Sequence, residues 1–172
     1  MLQPPGDLES LLIDSLKQRK IDPKLFPPKL ILSHISRLKN MGADYKSSLE
    51  TSGKEIDAIV LDIFDDYVKI LKNMNSVDFD DLILLPMKIL RDFPEVKEHY
   101  HKKHKFYMID EFQDTNQVQY EFIKLLLNEK NNICVVGDDD QSIYGFRGSN
   151  VNLILDFEKD FKNTKVVRLL QN

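Results

Sequence analysis

Asp110-Glu111 closes one short apolar run, and Gly137-Asp138-Asp139-Asp140-Gln141 closes another. In open parallel sheets ligands sit beyond the carboxyl ends of the strands. Two acidic strand ends side by side are therefore placed to hold hydrated Mg²⁺, a hard ion that takes carboxylate, water and phosphate oxygens. A second carboxylate next to the metal-holding one can orient and deprotonate an attacking water, and Glu111 beside Asp110 is the natural candidate. The alternative is that acids merely decorate loops after strands. That alternative is preferred for Asp139 and Asp140, and both readings stay open for Asp110 and Glu111. Beyond the second run lies Ser142-Ile143-Tyr144-Gly145-Phe146-Arg147-Gly148. Tyr144 and Phe146 could form a platform on which nucleobases stack at about 1–3 kcal/mol each, or they could plug a hole beneath the loop. His99, His101 and His104 have ligand-like spacing, but with Lys102, Lys103 and Lys105 adjacent they read as a solvated basic turn.

The elements that must position these residues follow from periodicity. Lys105–Ile109 and Ile133–Val136 read as buried strands. Between them Val118, Phe122, Ile123 and Leu125–Leu127 predict a helix, with Asn116 as N-cap and Gln119 three residues on, the spacing of a capping box. Strand, helix and strand in about 30 residues make a βαβ unit with parallel strands. Lys165–Leu170 reads as a third strand and Asn150–Lys159 as a helix. The single cysteine, Cys134, reads as a small core residue in the second strand.

The first hundred residues predict helices. Leu8, Leu11, Leu12 and Leu16 form one stripe, with Asp7 as N-cap. Leu30, Ile31, His34, Ile35 and Leu38 form another after Pro27-Pro28, ending at Gly42. A polar loop is expected over 44–54. Ile56, Ile59, Val60, Ile63, Phe64, Tyr67, Ile70 and Leu71 give the strongest signal, with Asp57, Asp62, Asp65, Asp66, Lys69 and Lys72 on the opposite side. Asp78, Asp80 and Asp81 suit a helix N-terminus, and Pro86 should kink or break the helix that follows. A short helix is expected from Pro94 to about His101. Arg37 and Lys39 read as a solvated face.

The chain has 172 residues, 42% hydrophobic and 30% charged, which excludes a wholly disordered or fibrous protein. The net charge of −4 argues against binding nucleic acid mainly through a basic surface. That excess lies entirely in residues 106–172, with 7 Lys+Arg against 11 Asp+Glu, so this third is either a solvated surface or a place that expects a cation. No apolar run approaches the roughly 20 residues of a membrane span. Cys134 has no internal disulfide partner and no secretory signal opens the chain, so a reducing cytoplasm is the expected compartment.

Asp110-Glu-Phe-Gln-Asp-Thr-Asn116 and Val136-Gly-Asp-Asp-Asp-Gln-Ser-Ile-Tyr-Gly-Phe-Arg-Gly148 resemble motifs II and III of superfamily 1 DNA helicases of the Rep/UvrD/PcrA type. Val77-Asp-Phe-Asp-Asp-Leu-Ile83 resembles that family's DFDDL stretch, residues 31–40 its opening helix of subdomain 1B, and Val166–Asn172 its strand leading into motif IV. The resemblance implies an α/β chain: a mostly helical 1B-like subdomain over 1–104, then part of a RecA-like parallel-sheet lobe (1A) over 105–172. It implies that Asp110 coordinates Mg²⁺, Glu111 is the base for ATP hydrolysis, and Gln141 senses the γ-phosphate. It further implies that Tyr144 and Phe146 stack on single-stranded DNA and that Arg147 links the nucleotide and DNA sites. Gln113, Asp114 and Asp138 would couple neighbouring motifs. Phe146 stands where Trp is common.

The departures shape the expectation. The six glycines offer no G-x-x-x-x-G-K-[ST] phosphate loop, and motifs V and VI are absent. A piece of a longer helicase, inactive alone, is expected. The parent would use ATP and Mg²⁺, act on single-stranded DNA and duplex junctions, move 3′–5′, and serve repair or replication. In this lobe the phosphate-loop strand is expected between the strands of motifs II and III, so its absence should leave a gap that the fragment must close by re-pairing, by partner contacts or by looseness. The rival readings are a non-catalytic DNA- or protein-binding module and an Asp/Glu metal-dependent phosphohydrolase.

Overall fold

A computed structural model describes residues 1–40, 53–130, 132–141 and 152–168. It divides into two compact units, 1–93 and 94–172. The polar stretch after Asn40, the Gly42 stop and the Ser142–Gly148 loop lie outside the described residues. Among the described residues no helix is long and apolar enough to cross a membrane.

The first unit is built from helices α1 (Pro5–Gln18), α2 (Pro28–Asn40), α3 (Glu55–Asn73) and α4 (Asp81–Asp92). The leucine and isoleucine stripes of α1, α2 and α3 meet in one core, in which Leu12, Leu16, Ile31, Ile35, Leu38, Val60 and Ile63 are almost fully buried. Leu30 is not part of it and stays exposed. Helix α1 starts at Pro5 after Pro4, so Asp7 sits in the first turn instead of capping it; Pro suits a first helical position because its missing N–H would be unpaired there anyway. Helices α1 and α3 are each followed by a left-handed residue, Lys20 and Asn75, and by a bond from the third residue past the helix: Ile21 N–H to the Leu16 carbonyl at 3.0 Å and Ser76 N–H to the Leu71 carbonyl at 2.9 Å.

Two polar residues sit where the amphipathic pattern does not put them. Asp57 belongs to the acidic side of α3 by spacing, yet it is 1% exposed and faces His34 Nδ1 at 3.1 Å. Lys39 is buried, not solvated: its ammonium donates to Asp78 Oδ2 and Asp81 Oδ1, each at 2.7 Å. Asp78 also accepts from the Tyr67 hydroxyl at 2.7 Å. The acidic DFDDL stretch does cap α4, since Asp81 N–H donates to Asp78 Oδ1 at 3.0 Å. It also clamps α2: Asp80 Oδ1 takes Ser36 Oγ at 3.1 Å and Asn40 Nδ2 at 2.7 Å. Helix α4 runs through Pro86, which forgoes one backbone bond; Met87 and Leu90 bury beside it and hold the helix in place.

The second unit begins with α5 (Pro94–Lys103), two residues longer than expected, which packs on α6 (Gln117–Leu126). Strands β1 (Tyr107–Ile109) and β2 (Ile133–Val135) pair in parallel, with Tyr107 opposite Ile133, Met108 opposite Cys134 and Ile109 opposite Val135. The two strands pair directly, the first of the three expected ways to close the gap: a single helical crossover with short connections brings consecutive parallel strands into contact. Tyr107, Ile109, Ile133 and Val135 face a core of Phe112, Tyr120, Leu127, Phe157 and Phe161. The alternate residues face outward, so neither strand is buried on both sides, and Cys134 is exposed instead of core. The expected C-terminal helix is two short ones, α7 (Asn152–Leu155) and α8 (Phe157–Asp160). Residues 165–168 form no strand, and Val166 and Val167 are exposed.

The capping box forms as its spacing predicts. Gln119 N–H donates to Asn116 Oδ1 at 2.9 Å, and Asn116 N–H donates to Gln119 Oε1 at 3.0 Å. Asn116→Ala should lower the urea stability of the chain by about 1 kcal/mol, since the Gln119 N–H loses its side-chain acceptor; an unchanged midpoint would show that this half of the box is idle.

Candidate functional site

The short strand β1 ends at Ile109, and the chain turns at once through Asp110 and Glu111 into one helical turn, Phe112–Asp114. Phe112 is fully buried and anchors that turn, its backbone N–H donating to the Val136 carbonyl at 2.9 Å. Fixing Phe112 inward leaves Asp110 and Glu111 exposed at the carboxyl edge of the sheet. Glu111 takes a left-handed backbone, φ 52° and ψ 40°. Such a conformation costs a non-glycine residue on the order of 1 kcal/mol and persists only where its surroundings enforce it. The enforcement is visible: Glu111 N–H donates to Asp110 Oδ1 at 2.9 Å, and Glu111 Oε2 accepts from Gln113 Nε2 at 2.7 Å.

Gln113 joins the two strand ends. It is 1% exposed, and its Oε1 accepts from the backbone N–H of Asp138 at 3.0 Å. Asp138, after β2, in turn organises the turn Asp139–Gln141. Its Oδ1 accepts from Asp140 N–H at 3.1 Å and its Oδ2 accepts from Gln141 Nε2 at 2.6 Å. Gly137 is what permits this approach: a Cβ there would stand 2.6 Å from Gln113 Oε1 and 2.8 Å from Ile154 Cδ1. The sequence reading missed Gly137, although a glycine directly after an apolar strand signals close backbone approach.

Of the residues singled out from sequence, the structure brings Asp110, Glu111, Gln113, Asp138 and Gln141 to one edge of the sheet. Asp114 lies on the same turn, and its Oδ1 is buried without a hydrogen-bond partner among the described residues. Tyr144, Phe146 and Arg147 lie outside the described residues. The histidines do not converge: His101 Nε2 pairs with the Leu125 carbonyl at 3.0 Å, while the His104 ring stacks near Tyr100 with centroids 6.1 Å apart.

Among the described residues no group of three or more His, Cys, Asp or Glu side chains could hold a metal ion. The edge thus builds no all-protein cage. An exposed Asp110 carboxylate suits Mg²⁺ nonetheless, because that ion keeps several waters and usually takes only one or two carboxylates, with phosphate oxygens completing its shell.

The family described as the UvrD/REP helicase N-terminal domain matches residues 4–162. The chain is 43% identical over 167 residues to an ATP-dependent DNA helicase, PcrA, of Bacillus subtilis, covering 97% of this chain. It is 39% identical to the PcrA helicases of Staphylococcus epidermidis and Staphylococcus aureus over 98% of its length. In each case it spans 23% of the relative's length.

Proposed function

The chain belongs to the UvrD/REP helicase N-terminal domain family, and from that premise we propose that it supplies the water-activating part of the ATPase site in an ATP-dependent DNA helicase. The observation that carries this reading is the junction of Asp110-Glu111 with the Asp138–Gln141 turn through buried Gln113. Residues 1–104 correspond to a 1B-like helical subdomain and 105–172 to part of a RecA-like lobe.

Asp110 would hold Mg²⁺, and the ion when bound supplies positive charge against the phosphate oxygens. Glu111, exposed and clamped in one backbone conformation, takes the proton of the attacking water. Gln141 offers its carboxamide to the terminal phosphate. Tyr144 and Phe146 would stack on bases of single-stranded DNA, and Arg147 would link the nucleotide site to the DNA site. In the parent protein this cycle drives 3′–5′ movement and duplex unwinding, in cytoplasmic DNA repair or replication. Two features support a larger parent. Phe79, Leu82, Leu85, Ile89 and Phe93 in the first unit, and Phe106, Met108 and Val136 in the second, are exposed apolar side chains suited to further contacts. The orphaned Asp114 Oδ1 is placed to accept from a donor beyond the described residues.

The test exchanges the matching segment of the Bacillus subtilis relative for this chain. A folded chimera is expected to hydrolyse ATP faster when single-stranded DNA is added, while the 172-residue chain alone turns over no ATP. A folded chimera without ATPase activity would overturn the reading. Glu111-dependent cleavage of simple phosphate esters by the isolated chain would replace it with a phosphohydrolase.

A further inference from the structure

One unbroken line of hydrogen bonds crosses the carboxyl edge of the sheet. Gln141 Nε2 donates to Asp138 Oδ2 at 2.6 Å, the Asp138 backbone N–H donates to Gln113 Oε1 at 3.0 Å, and Gln113 Nε2 donates to Glu111 Oε2 at 2.7 Å. The two ends, Gln141 and Glu111, are exposed, and the centre, Gln113, is buried. The orientation of the Gln113 carboxamide is dictated by chemistry. A backbone N–H can only donate and a carboxylate can only accept, so oxygen must face Asp138 and nitrogen must face Glu111. Any displacement of the Asp138–Gln141 turn therefore pulls on the side chain that aims the Glu111 carboxylate. Gly137 sets the spacing, because a methyl group at this position would meet Gln113 Oε1 at 2.6 Å and the Gln113 backbone nitrogen at 3.2 Å.

We propose that Gln113 and Gly137 are positioning residues for Glu111: Gln113 transmits the state of the Asp138–Gln141 turn to the Glu111 carboxylate, and Gly137 holds open the space Gln113 needs. What Glu111 does rests on the functional reading above. The consequence for the reaction is a coupled pair of events. When the Gln141 carboxamide leaves Asp138 for a phosphate, the turn is freed on one side, and the pull on Gln113 and Glu111 changes with it.

Gly137→Ala is expected to fold, because two of the atoms it would crowd are the movable ends of the Gln113 and Ile154 side chains. In the chimera it should lower kcat for ATP about 10- to 100-fold, the scale of a misplacement near 1 Å, with KM for ATP within about twofold. Gln113→Leu, which keeps the bulk and removes the bonds to Glu111 and Asp138, should do the same. The double variant should be no slower than either single one, because both cut the same link. An unchanged kcat, a raised KM with kcat intact, or multiplying effects in the double variant would each overturn the proposal. The isolated chain gives a separate readout. The Gln113 side-chain amide protons should exchange slowly with solvent, and in Gly137→Ala as fast as those of an exposed glutamine. Unchanged protection in Gly137→Ala would refute the steric claim. If the unmutated chimera lacks ATPase activity, the reading of Glu111 fails, and the exchange measurement alone decides whether Gly137 holds Gln113 in place.

Discussion

Lys39→Met should destabilise the chain by about 3–5 kcal/mol at neutral pH, the usual cost of removing one member of a buried ion pair. The side chains of Lys39 and Asp78 are each 6% exposed, and their charges meet at 2.7 Å. Methionine replaces the stem but not the ammonium, so Asp78 remains as a buried charge with the Tyr67 hydroxyl as its main side-chain donor. The pH dependence identifies the mechanism. Burial alone would push the Asp78 carboxyl up, but the Lys39 ammonium and the Tyr67 hydroxyl outweigh it and hold the group below the ordinary carboxylate range. A lowered native pKa contributes stability above the unfolded value, about 3.9, and that stability is lost as pH falls through the native one. Without Lys39, burial prevails and Asp78 protonates readily on acidification. The deficit of the variant should therefore be largest near pH 7 and shrink towards pH 4. Asp80, raised by burial against its bonds to Asn40 and Ser36, has the opposite pH dependence, but it is present in both proteins and largely cancels in the difference. Urea unfolding followed by helical circular dichroism measures the effect. A deficit that is small or independent of pH would show that the pair is not a buried charge clamp. Adding Asp78→Leu to Lys39→Met should restore part of the loss, since the buried Asp78 charge is then gone, while Asp81 and the Tyr67 hydroxyl still lack their partners.

What the sequence made legible, and what it did not, follows the range of each interaction. The Asn116–Gln119 box spans three residues and was readable as a spacing. The βαβ unit was readable because two apolar runs flank one amphipathic helix, and the parallel pairing of β1 and β2 is its direct consequence. The α1, α2 and α3 stripes were readable for the same reason. Lys39 was not, because an ammonium is buried only if carboxylates arrive to pair it, and Asp78 and Asp81 come from about forty residues away. Asp57 sits within the polar run of α3, and only the packing of α2 turns it inward against His34. The outward faces of β1 and β2 read as core because an apolar run does not say whether one side or both are covered.

The site divides in the same way. Acids after strands pointed to the sheet edge, and the family resemblance attached roles to them. The joint between them depends on the Gln113 carboxamide reaching both strand ends and on Gly137 lacking a Cβ. Neither the left-handed backbone of Glu111 nor the buried centre of that joint has a local sequence signature.

Glu111→Gln should have the largest effect on chemistry. The amide matches the carboxylate in size, and its oxygen can still accept from Gln113 Nε2, so the clamp on the left-handed turn persists. What disappears is the capacity to take a proton from water, which is worth about 10²- to 10⁴-fold in rate for a positioned general base. ATP binding should change little, because in the proposed function Glu111 acts on the water and not on the phosphates. Single-turnover hydrolysis of ATP by the chimera, with nucleotide affinity measured in the same samples, puts the central claim to the most direct test. A loss of at least about 100-fold in the hydrolysis step, at nearly constant affinity, is the predicted result. A rate within a few fold of the unmutated chimera would mean that the carboxyl edge of β1 does not activate the water.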